Sequence, residues 1–202
     1  MAKIDLKKEM AFLYNPSAKQ VTSVDVPAMS FLKVDGEGNP NTSSQYAAAL
    51  EVLFSVSYTL KFMVKKRSGV DYSVMPLEGL WWVDDLAEFS VERKEDWKWT
   101  SMIMQPQFVN PGDIKVAVEQ AGKKKDLPAL PKLKFEMFHE GLCAQIMHVG
   151  PFSAEGHNIQ KIHDFIKESG RVLTGKHHEI YLSDPRKTAQ ERLKTILRQP
   201  MK

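Results

Sequence analysis

The sequence predicts an α+β fold: two tandem strand-helix-strand-strand modules forming a pseudo-twofold antiparallel sheet with helices on one face. Three observations predict it. The same order of strand-like and helix-like segments runs twice along the chain. A glycine precedes the main helix of each half, Gly36 in the first and Gly150 in the second. Thr100-Ser101-Met102-Ile103-Met104-Gln105-Pro106 is echoed by Lys194-Thr195-Ile196-Leu197-Arg198-Gln199-Pro200, each at the end of a final strand. One such unit covers one face of its sheet and closes a core poorly. Two units sharing a longer sheet, with a groove where they meet, close it better.

The elements follow in order. Residues 1–20 read as a polar lead-in, 21–109 as the first module, 110–126 as a linking helix and 130–202 as the second module. Ala28 to Val34 is a short strand, stopped by the turn signal Asp35-Gly36-Glu37-Gly38-Asn39-Pro40. Thr42-Ser43-Ser44 offers helix N-caps, and Gln45 to Lys66 carries Leu50, Leu53, Phe54, Ser57, Leu60 and Val64 at helical spacing. That is a helix of about six turns. Asp71 to Val83, rich in Tyr, Val, Leu and Trp, reads as one strand, Asp84 to Asp96 as an acidic connection, and Trp97 to Val109 as the next strand. Asn110-Pro111-Gly112-Asp113 starts a helix over Ile114 to Lys124. Two short strands flank His139-Glu140-Gly141; Gly150-Pro151-Phe152-Ser153 is a turn and cap, and Ala154 to Ser169 a helix ended by Gly170. Lys176 to Leu182 and Leu193 to Pro200 close the chain as strands.

Composition narrows the function classes. The 202 residues are 43% hydrophobic and 26% charged with a net charge of +3, enough apolar content for a core and too little basic excess for a nucleic-acid footprint. Lys65-Lys66-Arg67 and Lys123-Lys124-Lys125 sit at helix ends, where cations suit the dipole. The lone Cys143 excludes an internal disulfide framework and a Cys-rich zinc site. The start MAKIDLKKEM lacks the apolar core of a secretory signal, and Glu51, Ser55, Ser57, Thr59 and Lys61 break the most apolar stretch. A cytoplasmic location is the expectation. No glycine-rich phosphate loop, HExxH or GxSxG occurs.

The candidate chemistry lies on two strands. In Met75-Pro76-Leu77-Glu78-Gly79-Leu80-Trp81-Trp82, alternation puts Glu78, Leu80 and Trp82 on one side and Leu77, Gly79 and Trp81 on the other. Glu78 is then either an acid beside an indole, suited to a flat cationic ligand, or a solvated acid beside core aromatics. In His177-His178-Glu179-Ile180-Tyr181-Leu182, Glu179 and Tyr181 share a face opposite Ile180 and Leu182. If the apolar pair faces the helices, the acid and the phenol face the groove, where burial raises a carboxyl pKa. Such a carboxylate exchanges protons near neutrality, and a phenol can donate to a developing oxyanion. The alternative is an edge strand with a solvated Glu179. The six histidines all fall within residues 139–178, but His157 and His163 have the wrong spacing for a helical metal pair, and no metal site is expected. Cys143 and His148 alternate onto opposite faces, which argues against a Cys–His nucleophile. Tyr58, on the long helix, is either groove-facing or core.

The Met75–Trp82 segment, the turn Ile146-Met147-His148-Val149-Gly150-Pro151-Phe152, and His178-Glu179-Ile180-Tyr181-Leu182-Ser183-Asp184-Pro185 together resemble the GyrI-like small-molecule-binding family, in its stand-alone branch. The resemblance runs from about Val21 to Pro200. It implies tandem SHS2 modules that bind flat aromatic, often cationic molecules in the groove between them. It also implies a hydrolase that opens the strained ring of cyclopropylpyrroloindole-type toxins with water, as a detoxification step. The residues it carries over are Glu179 as base and Tyr181 as donor, with Glu78, Trp81, Trp82, Tyr58, His148 and Phe152 as ligand-binding wall. The alternative reading is a non-catalytic drug-sequestering or sensing module without a DNA-binding domain; shielding DNA gyrase is a third. No cofactor is called for. The expected partner is an aromatic or cationic small molecule, with no direct nucleic-acid contact and no membrane, and a homodimer stays open.

Overall fold

In chain order the elements are β1 (Lys3–Ile4), α1 (Leu6–Glu9), α2 (Ala11–Tyr14), β2 (Thr22–Val26), β3 (Met29–Glu37), α3 (Ser44–Ser68), β4 (Asp71–Tyr72) and β5 (Leu77–Trp82). They continue with β6 (Lys98–Gln105), α4 (Pro111–Lys124), β7 (Lys134–Phe138), β8 (Gly141–Val149), α5 (Gly156–Glu168), β9 (His177–Tyr181) and β10 (Lys194–Pro200). The structure, a computed structural model, describes residues 3–84 and 93–202. Most of the expected acidic connection, residues 85–92, lies outside the described residues. The fold class is α+β, with antiparallel strands and covering helices. Two compact units arise from it: residues 1–6, 29–75 and 81–138 form the first, and 7–28, 76–80 and 139–202 the second.

In the first unit β3 lies between β6 and β7, antiparallel to both. The helix α3 packs on β3 and β6 through Ala49, Val52, Leu53, Val56, Leu60 and Val64, all buried. Burying each large aliphatic side chain contributes about 1.5–3 kcal/mol, which exceeds any helix propensity term. By length and composition α3 is apolar enough to cross a membrane; here its stripe is spent on the sheet. The Ser43 hydroxyl caps its start by accepting from the Tyr46 N–H, and Gly69 ends it at φ 71°, a conformation that favours glycine. The helix α4, opened by a capping box between Asn110 and Asp113, packs on α3, and Arg67 pairs with Asp113 across them. Opposite Trp99 on β6 stands Gly36 on β3, where a Cβ would come within 2.3 Å of the indole. Trp99 is fully buried there, so the glycine makes room for the ring.

In the second unit the strand order is β2-β8-β10-β9, with Leu77–Leu80 of β5 next to β9. The register is Ala144, Ile146 and His148 of β8 opposite Gln199, Leu197 and Thr195 of β10, and Glu179 and Tyr181 of β9 opposite Leu197 and Thr195. Directly paired residues point to the same side, so these positions share one face. On that face α5 packs, joining Ile162 and Ile166 to Ala144, Ile146, Leu197 and Met201. The helix ends in a Schellman pair, Arg171 N–H to Ile166 C=O and Gly170 N–H to Lys167 C=O, with Gly170 at φ 71°. The opposite face carries Cys143, Gln145, Met147, His178, Ile180, Ile196 and Arg198.

Candidate functional site

The strand β9 therefore presents a different side chain set to each face of the second unit. On the α5 face, the Tyr181 hydroxyl donates to Glu179 Oε2 at 2.7 Å, and His177 Nε2 stands 3.4 Å from Glu179 Oε1. Glu179 keeps 16% side-chain exposure, enough to meet a ligand while largely out of water. The ring of Phe152, from the turn before α5, meets Tyr181 edge-on at 5.8 Å and is itself exposed. His148 is buried: its Nε2–H donates to the Pro151 carbonyl at 3.1 Å, and its Nδ1 accepts from Asn158 at 3.1 Å. Both ring nitrogens are thus engaged in fixing the turn that presents Phe152.

Glu155 completes this face. It is the residue before α5, 5% exposed, and its Oε1 has no hydrogen-bond partner among the described residues. Burial first, and then the charge of Glu179, push its carboxyl up to about 9, against the milder pull of the Thr195 hydroxyl. His163 on α5 is pushed down by burial and by His177. The face thus holds two carboxyls, one of them with a raised proton affinity, a phenol bonded to the other, and an aromatic wall. Such a set can accept a proton from water, hold a cation, or do both.

The opposite face holds a closed polar network. His178 donates through Nδ1 to Glu140 at 2.9 Å and pairs through Nε2 with Glu78 at 3.0 Å. Tyr14 from α2 donates to the other Glu78 oxygen at 2.9 Å. Arg198 donates to Glu140 Oε2 at 3.2 Å, to Gln145 Oε1, and to the Leu13 carbonyl at 2.9 Å. Burial would push the His178 imidazole down, but Glu140 and Glu78 outweigh it and hold it up at about 9. Burial would raise Glu140; His178 and then Arg198 overcome that and hold it below the usual carboxylate range. Two carboxylates thus meet two cations in a dry interior, the arrangement in which buried charges are tolerated.

Placement of the expected residues follows. Glu179, Tyr181 and Phe152 come together, with His148 anchoring the turn beneath Phe152. Alternation left the inward face of β9 open; the helix covers the Glu179 face and not the Ile180 face, because Leu197, paired with Glu179, belongs to the α5 core. The Tyr181 hydroxyl donates to Glu179 and so aligns the carboxylate. Glu78 is 1% exposed with both oxygens bonded and stands on the His178 side of the sheet. It is buried and paired, not solvated. Trp81, Trp82 and Tyr58 belong to the first unit: Trp81 packs between Tyr46 at 5.9 Å and Trp97 at 5.7 Å, and Tyr58, half-exposed, stacks on Phe54. Trp82 is half-buried. The expected strand Asp71–Val83 is two strands, interrupted before Pro76-Leu77. Cys143 is buried and its thiol is pushed up by burial, which suits an inert side chain. Among the described residues no group of three or more His, Cys, Asp or Glu is placed to hold a metal ion.

Sequence reasoning missed Glu155, Glu140, Arg198 and Tyr14. Glu155 carries a weak signal, an acid just before a helix, which ordinarily means only a favourable dipole.

The chain matches the GyrI-like small molecule binding domain over residues 19–202. A conserved protein of Listeria innocua has a TM-score of 0.91 at 42% identity, covering 98% of this chain and all of that one. A hydrolase encoded by lin2189 in Listeria innocua has a TM-score of 0.89 at 40% identity, covering 100% of both chains. A second Listeria innocua hydrolase has a TM-score of 0.86 at 41% identity, covering 98% of this chain and 100% of that one. No curated protein matches.

Proposed function

The chain belongs to the GyrI-like small-molecule-binding family, and from that premise we propose that it is a cytoplasmic hydrolase that binds flat aromatic, often cationic molecules and detoxifies strained electrophilic ones. The substrate class is a cyclopropane conjugated to a carbonyl, as in cyclopropylpyrroloindole compounds. Two relatives at 40–41% identity are hydrolases, which supports water as the co-reactant. The observation that carries the reading is Glu179, largely withdrawn from water and aligned by the Tyr181 hydroxyl at 2.7 Å.

In the proposed step, Glu179 takes a proton from a water that attacks a ring carbon. The C–O bond forms as the strained C–C bond breaks, and the electron pair moves through the conjugated system to the carbonyl oxygen; the resulting phenolate takes a proton from solvent, and Glu179 returns the proton it took to solvent, so the net change is the addition of one water. Tyr181 holds the carboxylate in one rotamer, and Phe152 supplies a ring surface that excludes solvent. General-base assistance contributes about 10²–10⁴ in rate.

Glu179→Gln tests this. The expected result is loss of the product one water heavier than substrate, with substrate affinity kept. Retained turnover would remove Glu179 from the chemistry. Lost affinity with no wild-type turnover on any strained ring would leave a binder.

A further inference from the structure

Glu155 has no part in that step, yet its setting is unusual. It is 5% exposed, and its Oε1 lacks a hydrogen-bond partner among the described residues. Its place over the Glu179 face is fixed by packing. The turn ahead of it holds Phe152 on Tyr181, α5 behind it packs on Leu197, and Leu197 and Thr195 are the cross-strand partners of Glu179 and Tyr181. A carboxylate oxygen buried without a donor is costly, and a second carboxylate close by adds to the cost. The start of α5 favours an anion only modestly.

Resting on the reading of the Glu179 face as the ligand site, we infer that Glu155 is a specificity-determining residue. Glu155 holds a proton that leaves when a cationic ring binds and stays when an uncharged ring binds. With the proton, the pair carries a single negative charge and tolerates a neutral ring. A bound cation stabilises the second carboxylate, so the proton goes to solvent and the site adjusts its charge to the ligand. The raised proton affinity of Glu155 supports this, since the proton is present at neutral pH to be released. The groups facing the pair are His177 and Tyr181 from β9, Thr195 from β10, His148 from β8 with both nitrogens bonded, and His163 from α5 beside His177. A histidine source of the proton would be unaffected by changing Glu155, which the test exploits.

The test is calorimetric titration with ethidium, a planar monocation, and with phenanthridine, uncharged near neutrality, in buffers of different ionisation enthalpy. Wild type is expected to release close to one proton per ethidium and none per phenanthridine. Its ethidium affinity rises about tenfold per pH unit between about pH 6 and pH 8. Glu155→Gln releases none and binds ethidium with no pH slope, while phenanthridine affinity, which reports folding of the site, is kept. Absence of proton release from wild type, or equal release from Glu155→Gln, overturns the inference. Glu179→Gln separates the two ideas. If it weakens ethidium while wild type releases no proton, only the proton release fails; if it leaves ethidium binding unchanged, the ligand site itself is misplaced. Failure of wild type to bind either probe overturns both.

Discussion

His178 sits at the centre of the buried network, and its removal has a pH signature that packing loss lacks. The imidazole is 1% exposed, between Glu140 and Glu78, and its proton is held up at about 9 against about 6.5 in an unfolded chain. A raised histidine contributes stability that is complete below about pH 6.5 and lost as pH climbs through about 9. At 1.36 kcal/mol per unit, the difference corresponds to about 3 kcal/mol. The perturbation is His178→Gln, which keeps a hydrogen-bonding side chain but no charge. Urea unfolding of both proteins, followed by circular dichroism at about pH 6, 8 and 10, gives the stability gap at each pH. The gap is expected to be largest at pH 6 and smaller by about 3 kcal/mol at pH 10. A gap that stays constant with pH would show that His178 is neutral in the fold and that the network holds together by shape and neutral hydrogen bonds alone.

Two further outcomes follow from the first unit. Gly36→Val drives a side chain into Trp99, since even a Cβ would stand 2.3 Å from the indole; a loss of about 3 kcal/mol is expected in urea unfolding, and an unchanged midpoint would mean the strand pair shifts freely. Asn110→Ala removes one half of the capping box at α4 and is expected to cost about 1 kcal/mol by the same measurement.

Much of the architecture was legible because local rules agree with the tertiary result. The stripe from Ala49 to Val64 fixed α3, and Ser43 and Gly69 mark its ends by chemistry that needs no partner elsewhere in the chain. Prolines defined limits that hydropathy blurred: Pro106 follows the end of β6, and Pro76 separates β4 from β5, although the apolar pattern runs on through both. Ala154 was expected to begin the last helix, but Phe152–Ala154 form a single 3₁₀ turn and α5 starts at Gly156. That shift places Glu155 at the junction, where it turns inward.

The site was legible only as far as period-two alternation reaches. It paired Glu179 with Tyr181 and set His178 on the other side, but it could not choose which face α5 covers, because Ile180 and Leu197 are equally apolar markers for either answer. The partners of Glu78 were out of reach for another reason. Tyr14 and His178 lie 64 and 100 positions away in the chain, and no local pattern encodes such contacts. An acid between aliphatic and indole residues looks like a ligand hook in sequence; in the fold it is neutralised by a histidine.

The most direct test is a crystal structure of the protein with a bound aromatic cation. The expected density lies on the α5 side of β9, with the ligand against Phe152 and within hydrogen-bonding or ion-pair reach of Glu179. A ligand seated elsewhere, with Glu179 and Tyr181 still bonded only to each other, would contradict the assignment of this face.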